Sequence, residues 1–222
     1  MADHSELSRL YQRRFTPAEQ ARKSALWAFL CEAFFQRYVR PTDRVLDLGA
    51  GYCEFINHIR CREKIAVDLN EDAAAHASPD VRLVRAPSTD LRVLADASVD
   101  VVFVSNFFEH LPTKDDFFTT LGELHRVLVP GGTLLILQPN IRFLADEYWD
   151  FVDHQLPLSD RSLVEALELL GLEPIEVRPG FLPFTTKSRL PQWPWLIRLY
   201  LHLPLAQWLF GRQAWVVARK PA

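Results

Sequence analysis

The sequence predicts an α/β fold, a doubly wound, mostly parallel seven-stranded sheet with helices on both faces. Two observations carry that prediction. Short apolar runs alternate with helical patterns along most of the 222 residues. The first apolar run, RVLDL, ends in a Gly-x-Gly turn and passes directly into a helical pattern, CEFINHIRC.

Residues 17–39 read as a helix, with Thr16 as N-cap, Pro17 at the first helical position and Glu19 completing a capping box. Trp27, Leu30, Phe34 and Tyr38 recur at helical spacing, and Pro41 follows the end. RVLDLG is the first buried strand and KIAVDLN the second, ending in an acid. VRLVRAP and SVDVVFVSN are the third and fourth. DDFFTTLGELHRVLV is a helix closed by Pro130-Gly131-Gly132, and GTLLILQPN is the fifth strand. SDRSLVEALELLG is a helix capped by Ser159 or Asp160, with Gly171 just beyond its end. EPIEVRPGF and QAWVVARK are the two late strands. Sheets of this kind bind ligands at the C-terminal ends of their strands.

Composition narrows the function classes. At 49% hydrophobic residues the chain can bury a full core and does not read as disordered. Cys31, Cys53 and Cys61 fit no disulfide framework and no paired metal spacing, which suggests a reducing cytoplasm. The opening MADHSELSRLYQRRF lacks the apolar core of a signal peptide. Charge is uneven: residues 1–176 hold 18 Lys and Arg against 28 Asp and Glu, while residues 177–222 hold seven Lys and Arg and no acid. A uniformly basic nucleic-acid footprint is therefore missing, and the tail alone is basic and apolar together.

Gly49 and Gly51 allow positive φ and close approach of a ligand to the backbone. A dinucleotide fingerprint requires a third glycine at the position of Glu54, whose carboxylate would repel a pyrophosphate. No Gly-Lys-Ser/Thr follows, so this is not a P-loop, and no Gly-x-Ser-x-Gly elbow suggests a serine hydrolase. The loop suits a nucleoside ligand without phosphates. Asp68 ends the second strand and can accept both hydroxyls of an unphosphorylated ribose. Asp47, inside the first strand's end, is a buried acid that calls for a cationic partner such as an ammonium or sulfonium.

VLDLGAGYCEF, AVDLN, DASVDVVFVSNFFEHL and LHRVLVPGGTLLILQPN, in this order between Arg44 and Asn140, resemble the successive motifs of class I S-adenosylmethionine-dependent methyltransferases. The resemblance implies a Rossmann-like methyltransferase fold with S-adenosylmethionine as cofactor and S-adenosylhomocysteine as product. By position, Asp47, Gly49 and Gly51 would cradle the methionine part, Asp68 would bind the ribose and Leu69 would pack on adenine. Asn106 would lie beside the transferring methyl, and Tyr11 and Arg14 would belong to an N-terminal closing segment. Two departures stand out. The family's third glycine is Cys53, and its Gly-Asp after the third strand is replaced by RAPSTDL, where Ser88 or Asp90 would meet the adenine amine, with Ser88 preferred for its distance from the strand. Asp100 is expected to bond loop backbone.

The resemblance leaves the acceptor open. A small molecule, a glycan or a lipid-linked acceptor methylated on oxygen is the first expectation, with a catalytically silent cofactor-binding partner subunit as the alternative. An NAD-dependent oxidoreductase ranks third, against Glu54. His110 and His154 are the candidate proton acceptors, and Tyr148, Trp149, Asp150 and Asp153 are candidates for an acceptor pocket that stacks and hydrogen-bonds a sugar or phenol. No pair of histidines has metal-ligand spacing, so no metal is expected. The chain reads as one domain: residues 1–40 an N-terminal helical lid, 41–180 the cofactor-binding core, 181–212 an apolar basic insertion and 213–222 the last strand. The insertion holds Trp193, Trp195 and Trp208; Arg198, His202, Pro204 and Gln207 argue against a bilayer span. A packed helix pair, a homodimer interface and a peripheral membrane contact all fit it.

Overall fold

The computed structural model describes residues 16–183 and 193–222. Its centre is a sheet of β1 (Arg44–Leu48), β2 (Glu63–Val67), β3 (Val81–Val84), β4 (Val99–Ser105), β5 (Leu128–Pro139), β6 (Glu173–Leu182) and β7 (Gln213–Arg219). The spatial order is β3-β2-β1-β4-β5-β7-β6. Strands β1 to β5 pair in parallel, and β7 runs antiparallel to both β5 and β6. The expected doubly wound sheet is present, with one antiparallel hairpin at its edge. The chain reverses its direction of travel between β1 and β4, so the crevice at their C-terminal ends is the switch point of the sheet.

Eight helices among the described residues flank it: α1 (Pro17–Ala33), α2 (Glu54–His58), α3 (Ala73–His76), α4 (Lys114–Val127), α5 (Ile141–Leu144), α6 (Asp160–Leu169), α7 (Pro194–His202) and α8 (Pro204–Phe210). Alternate residues of each strand face opposite sides, which is why two cores form. Leu46, Leu48, Val102, Val104, Leu134 and Ile136 pack with Phe117 and Leu121 of α4 and Leu163 and Leu167 of α6. Val45, Val101, Phe103, Leu135 and Leu137 pack on the other face with Trp27 and Leu30 of α1, Phe55 and Ile56 of α2, and Trp215 of β7. Burying each such side chain contributes about 1.5–3 kcal/mol, so the sheet's two faces hold most of the stabilising area.

Local signals explain the ends. Thr16 Oγ1 accepts from Glu19 N at 3.4 Å while Glu19 Oε2 accepts from Thr16 N at 2.8 Å, the reciprocal capping box read from the sequence. Ser159 caps α6, and the amides of Gly171 and Leu172 reach back to the carbonyls of Glu168 and Leu167, a Schellman closure. Asp100 Oδ2 accepts from the amide of Arg44 at 2.7 Å, tying β4 to the start of β1 as expected.

Two expectations are corrected. The first helix ends at Ala33, because Phe34 leaves helical geometry at φ −132° and Phe35–Tyr38 form a 3-10 turn. Phe34 and Phe35 thereby both enter the core, at 2% and 0% exposure, which consecutive residues of one regular helix face do not do. Pro130-Gly131-Gly132 does not close a helix. Helix α4 stops at Val127, and the Pro-Gly-Gly segment bulges out of β5, whose partners on β4 jump from Val99↔Leu128 to Val101↔Thr133. Trp215 lies in β7, the predicted late strand QAWVVARK. It is fully buried and packs against Phe34, Phe35 and Tyr38 at centroid distances of 5.3–5.4 Å.

The described part of residues 181–212 is a helix pair on the β6 edge. Tyr200 Oη donates to the carbonyl of Phe181 at 2.7 Å, and buried Gln207 donates to the carbonyl of Leu201 at 2.9 Å. The outer face remains apolar: Trp193, Trp195, Trp208 and Phe210 are each more than half exposed. Among the described residues no helix is long and apolar enough to cross a membrane.

Candidate active site

The Gly-x-Gly loop is shaped by its backbone and held by one carboxylate. Gly49 and Gly51 lie at φ +69° and +52°. A Cβ on Gly49 would stand 2.3 Å from Cδ2 of Phe107, so the side chain after β4 closes directly over this glycine. Cys53 occupies the left-handed region at φ +60° and is fully buried. That backbone explains why a glycine is favoured there; the small thiol tolerates it, at a strain of about 1–2 kcal/mol. Asp68 Oδ2 accepts from Gly51 N at 2.7 Å and Oδ1 accepts from Asn70 N at 2.7 Å, so the carboxylate staples the loop after β1 to the end of β2. Burial raises the Asp68 pKa, and these amides oppose the rise.

Asp47 points into the same cradle at 3% exposure. Its pKa is pushed well above the usual carboxylate range, first by burial, then by Glu54 and Asp68. Both charges acting on it are thus negative. Glu54, in the first turn of α2, is itself paired with Lys23 of α1 at 2.7 Å. A buried anionic pocket with open φ-positive backbone and no lysine or arginine bonded to Asp47 among the described residues fits a cationic ligand without phosphates. Asn106 forms the wall at the end of β4. It sits at φ +48°, and its Oδ1 accepts from Nε2 of Gln213 in β7.

A second polar cluster lies three residues beyond Asn106, in the 3-10 turn Phe108–His110. Glu109 is 1% exposed, and its Oε2 accepts from Gln138 Nε2 of β5 at 3.0 Å. Burial raises its pKa, opposed by His110. His110 Nε2 is 3.9 Å from Glu109 Oε1, and its Nδ1 is 3.1 Å from the carbonyl and 3.3 Å from the carboxylate of Asp153. The His110 and His154 rings meet edge-on at 5.2 Å. The amides of Gln155 and Leu156 both donate to the carbonyl of Glu109, at 2.7 and 3.1 Å, which latches the His154 segment to this turn.

Comparison with known proteins agrees with the cradle. Residues 46–136, from β1 to β5, match the family model described as a methyltransferase domain. The chain carries a class I S-adenosylmethionine-dependent methyltransferase domain. A probable S-adenosylmethionine-dependent methyltransferase of Mycolicibacterium smegmatis is 34% identical over 56% of this chain and 49% of its own length. A malonyl-[acyl-carrier protein] O-methyltransferase of Coxiella burnetii is 34% identical over 49% of this chain and 38% of its own length. The chain thus spans half or less of the curated relatives it matches. A chain from the complex between the Haloferax volcanii Trm112 methyltransferase activator and a methyltransferase shares the fold at TM-score 0.67 and 21% identity, over 91% of this chain and 93% of its own.

In the methyltransferase domain, S-adenosylmethionine is the cofactor. The structure brings Asp47, Gly49, Gly51, Asp68, Leu69 and Asn106 to the C-terminal ends of β1, β2 and β4. Ser88 lies after β3, but its hydroxyl is engaged with Thr120 of α4 at 2.8 Å. Asp90 is turned outward onto Arg92 at 2.6 Å. Tyr11 and Arg14 lie outside the described residues. The stacking role expected of Tyr148 is corrected: its ring is fully buried, and its hydroxyl donates to the carbonyl of Leu156 at 2.6 Å. Trp149 is 54% exposed and Asp150 is exposed, so both face solvent, while Asp153 stands against His110. Sequence reasoning missed Phe107, Glu109 as a site residue, Gln138 and Gln213. The segment SNFFEHL was the one signal for the first two; the glutamines come from strands with no local mark of function.

Proposed function

We propose that the protein moves a methyl group from S-adenosylmethionine to an oxygen of a small-molecule, glycan or lipid-linked acceptor. The observation that carries the cofactor half is buried Asp47, held in a cradle whose neighbouring charges are negative. When bound, S-adenosylmethionine supplies a methyl group already activated on a cationic sulfonium. Asp47 and the Gly49–Gly51 backbone would hold the methionine part, Asp68 the ribose hydroxyls, Leu69 and Ser88 the adenine, and Asn106 the flank of the methyl. The chain's remaining task is alignment and exclusion of water, both of which act strongly in displacement at an activated methyl.

Acceptor activation falls to the turn after β4. His110 is the more open histidine, with 27% of its side chain exposed against 8% for His154 as a residue. Together with Glu109 they form the group that would take up the proton of an acceptor hydroxyl, and Trp149 and Asp150 would line the approach. The oxygen preference draws on the Coxiella burnetii relative, an O-methyltransferase by name.

Isothermal calorimetry with S-adenosylmethionine, beside Asp68→Ala and with NAD as control, tests this reading. Micromolar binding that Asp68→Ala weakens is the expected result. No binding by cofactor-free protein overturns it; binding without methyl transfer to cell extract, with a stoichiometric partner in a pull-down, favours the alternative, a catalytically silent cofactor-binding partner subunit, a reading that draws on the Haloferax volcanii activator complex.

The outer face of α7 and α8 supports a second statement: the protein rests on anionic membranes in the cytoplasm, its three cysteines all free thiols. Exposed Trp193, Trp195, Trp208 and Phe210 stand beside exposed Arg198, and that mixture suits a lipid interface. Co-sedimentation with phosphatidylserine vesicles at low salt, reduced by Trp195→Ser with Trp208→Ser, is expected. A concentration-dependent dimer that the same substitutions dissolve, without vesicle binding, overturns it in favour of a homodimer interface.

A further inference from the structure

We propose that Glu109, His110 and His154 bind one first-row divalent cation on the acceptor side of the methyltransferase domain. The cation would present an open coordination position to the acceptor oxygen. That second step rests on the methyl-transfer reading above; the metal site itself does not.

The ligand atoms converge. One atom from each of the three residues lies within 4.8 Å of the others. Ligands at about 2.1 Å from a shared cation stand roughly 3–4 Å apart, so small side-chain rotations complete the set. Glu109 Oε1 and His110 Nε2, 3.9 Å apart, already meet that spacing. Two imidazoles and one carboxylate are a donor set suited to Mn²⁺, Fe²⁺, Co²⁺ or Zn²⁺, and three protein ligands leave a position free.

The outer contacts are those that a metal-binding histidine needs. His110 Nδ1 faces the Asp153 carbonyl at 3.1 Å and the Asp153 carboxylate at 3.3 Å. A proton held on Nδ1 by these acceptors leaves the lone pair on Nε2, the nitrogen that faces Glu109. His154 is fixed by ring contacts, stacked on Phe151 at 5.0 Å and edge-on to Tyr148 at 4.8 Å. Tyr148 in turn anchors the Leu156 carbonyl, and the Leu156 amide binds the Glu109 carbonyl. The ligands thus sit on two segments that the backbone already holds together, so little ordering remains to be supplied on binding.

Charge points the same way. Glu109 is buried, and no lysine or arginine pairs with it among the described residues; it meets the neutral Gln138 amide and His110. A buried carboxylate is costly without a cation. A divalent ion would answer Glu109 and the neighbouring Asp153 together. It would also lower the pKa of an acceptor hydroxyl bound to it, so that the hydroxyl gives up its proton to solvent water and no histidine base is needed.

The test uses the full chain, stripped with EDTA and dialysed, without cofactor or acceptor. It is titrated with Co²⁺, followed by its visible ligand-field bands, and with Mn²⁺ and Zn²⁺, followed by bound metal per chain. One cation per chain with micromolar affinity is expected, falling at least 10-fold in His154→Ala and unchanged in His202→Ala, whose histidine lies on the exposed end of α7. Wild-type protein that takes up no stoichiometric metal overturns the proposal, whatever the variants do. So does equal uptake by His154→Ala with native circular dichroism. If metal binds but EDTA leaves methyl transfer unaltered, the open-position step is overturned while the cofactor reading stands. Cofactor calorimetry on the stripped protein separates failure of one reading from failure of the other.

Discussion

Asp47→Asn separates what the cradle costs the protein from what it does for the cofactor. In the free protein Asp47 is 3% exposed, and burial, Glu54 and Asp68 raise its pKa well above the usual carboxylate range. The folded state therefore favours the protonated form. Its contribution to stability is complete below the unfolded carboxyl's pKa and is lost as pH rises through the higher folded value. Asparagine matches the neutral form in shape and keeps an acceptor for the Ile56 amide that bonds Asp47. The variant should equal wild type in stability near pH 3 and exceed it at pH 8, the gap opening between the two pKa values. Binding should move oppositely. Only the negative charge is removed, and a hydrogen bond to a charged group contributes about 1.5–3 kcal/mol, so the dissociation constant for S-adenosylmethionine should rise about 10- to 150-fold. Urea unfolding across pH and calorimetry measure the two. A variant less stable than wild type at pH 8, or one that binds the cofactor as tightly, would refute the account of Asp47 as a cationic ligand's partner.

Two further substitutions probe the walls of the site. Gly49→Ala adds a Cβ at φ +69° and within 2.3 Å of the Phe107 ring. The backbone strain alone, about 1–2 kcal/mol, should lower the thermal midpoint by about 2–8 °C, and adding Phe107→Leu should relieve the clash without recovering the strain. Tyr148→Phe removes the donor to the buried Leu156 carbonyl, which should cost about 1–3 kcal/mol in denaturant unfolding and speed amide exchange at Gln155 and Leu156; unchanged exchange there refutes the latch.

Much of the fold was legible because it is written in near neighbours. Val45, Leu46 and Leu48, or Val101 to Val104, are apolar on both faces, and so short a run, rich in valine and bounded by turn residues, reads as a buried strand. Thr16 with Glu19, and Ser159 with Gly171, mark helix ends by hydrogen bonds that span a few residues. Where the reading went astray, distant packing had overridden local preference. Phe34 and Phe35 broke the helix to reach Trp215, and Pro130-Gly131-Gly132 became a bulge because β4 and β5 pair on either side of it.

The site divides along the same line. By itself the sequence determined the order of strands and helices, the Gly-x-Gly loop, and the two acids Asp47 and Asp68 at the strand ends where a cofactor sits. Those depend on spacing within a strand and a turn. Only the tertiary structure decided that Tyr148 is a buried anchor, that Gln213 of β7 reaches Asn106, and that His154 returns to Glu109 and His110 from 44 residues away. Convergence of that kind depends on the path of the connection after β5 and on backbone bonds across it, and no periodicity in the chain records either.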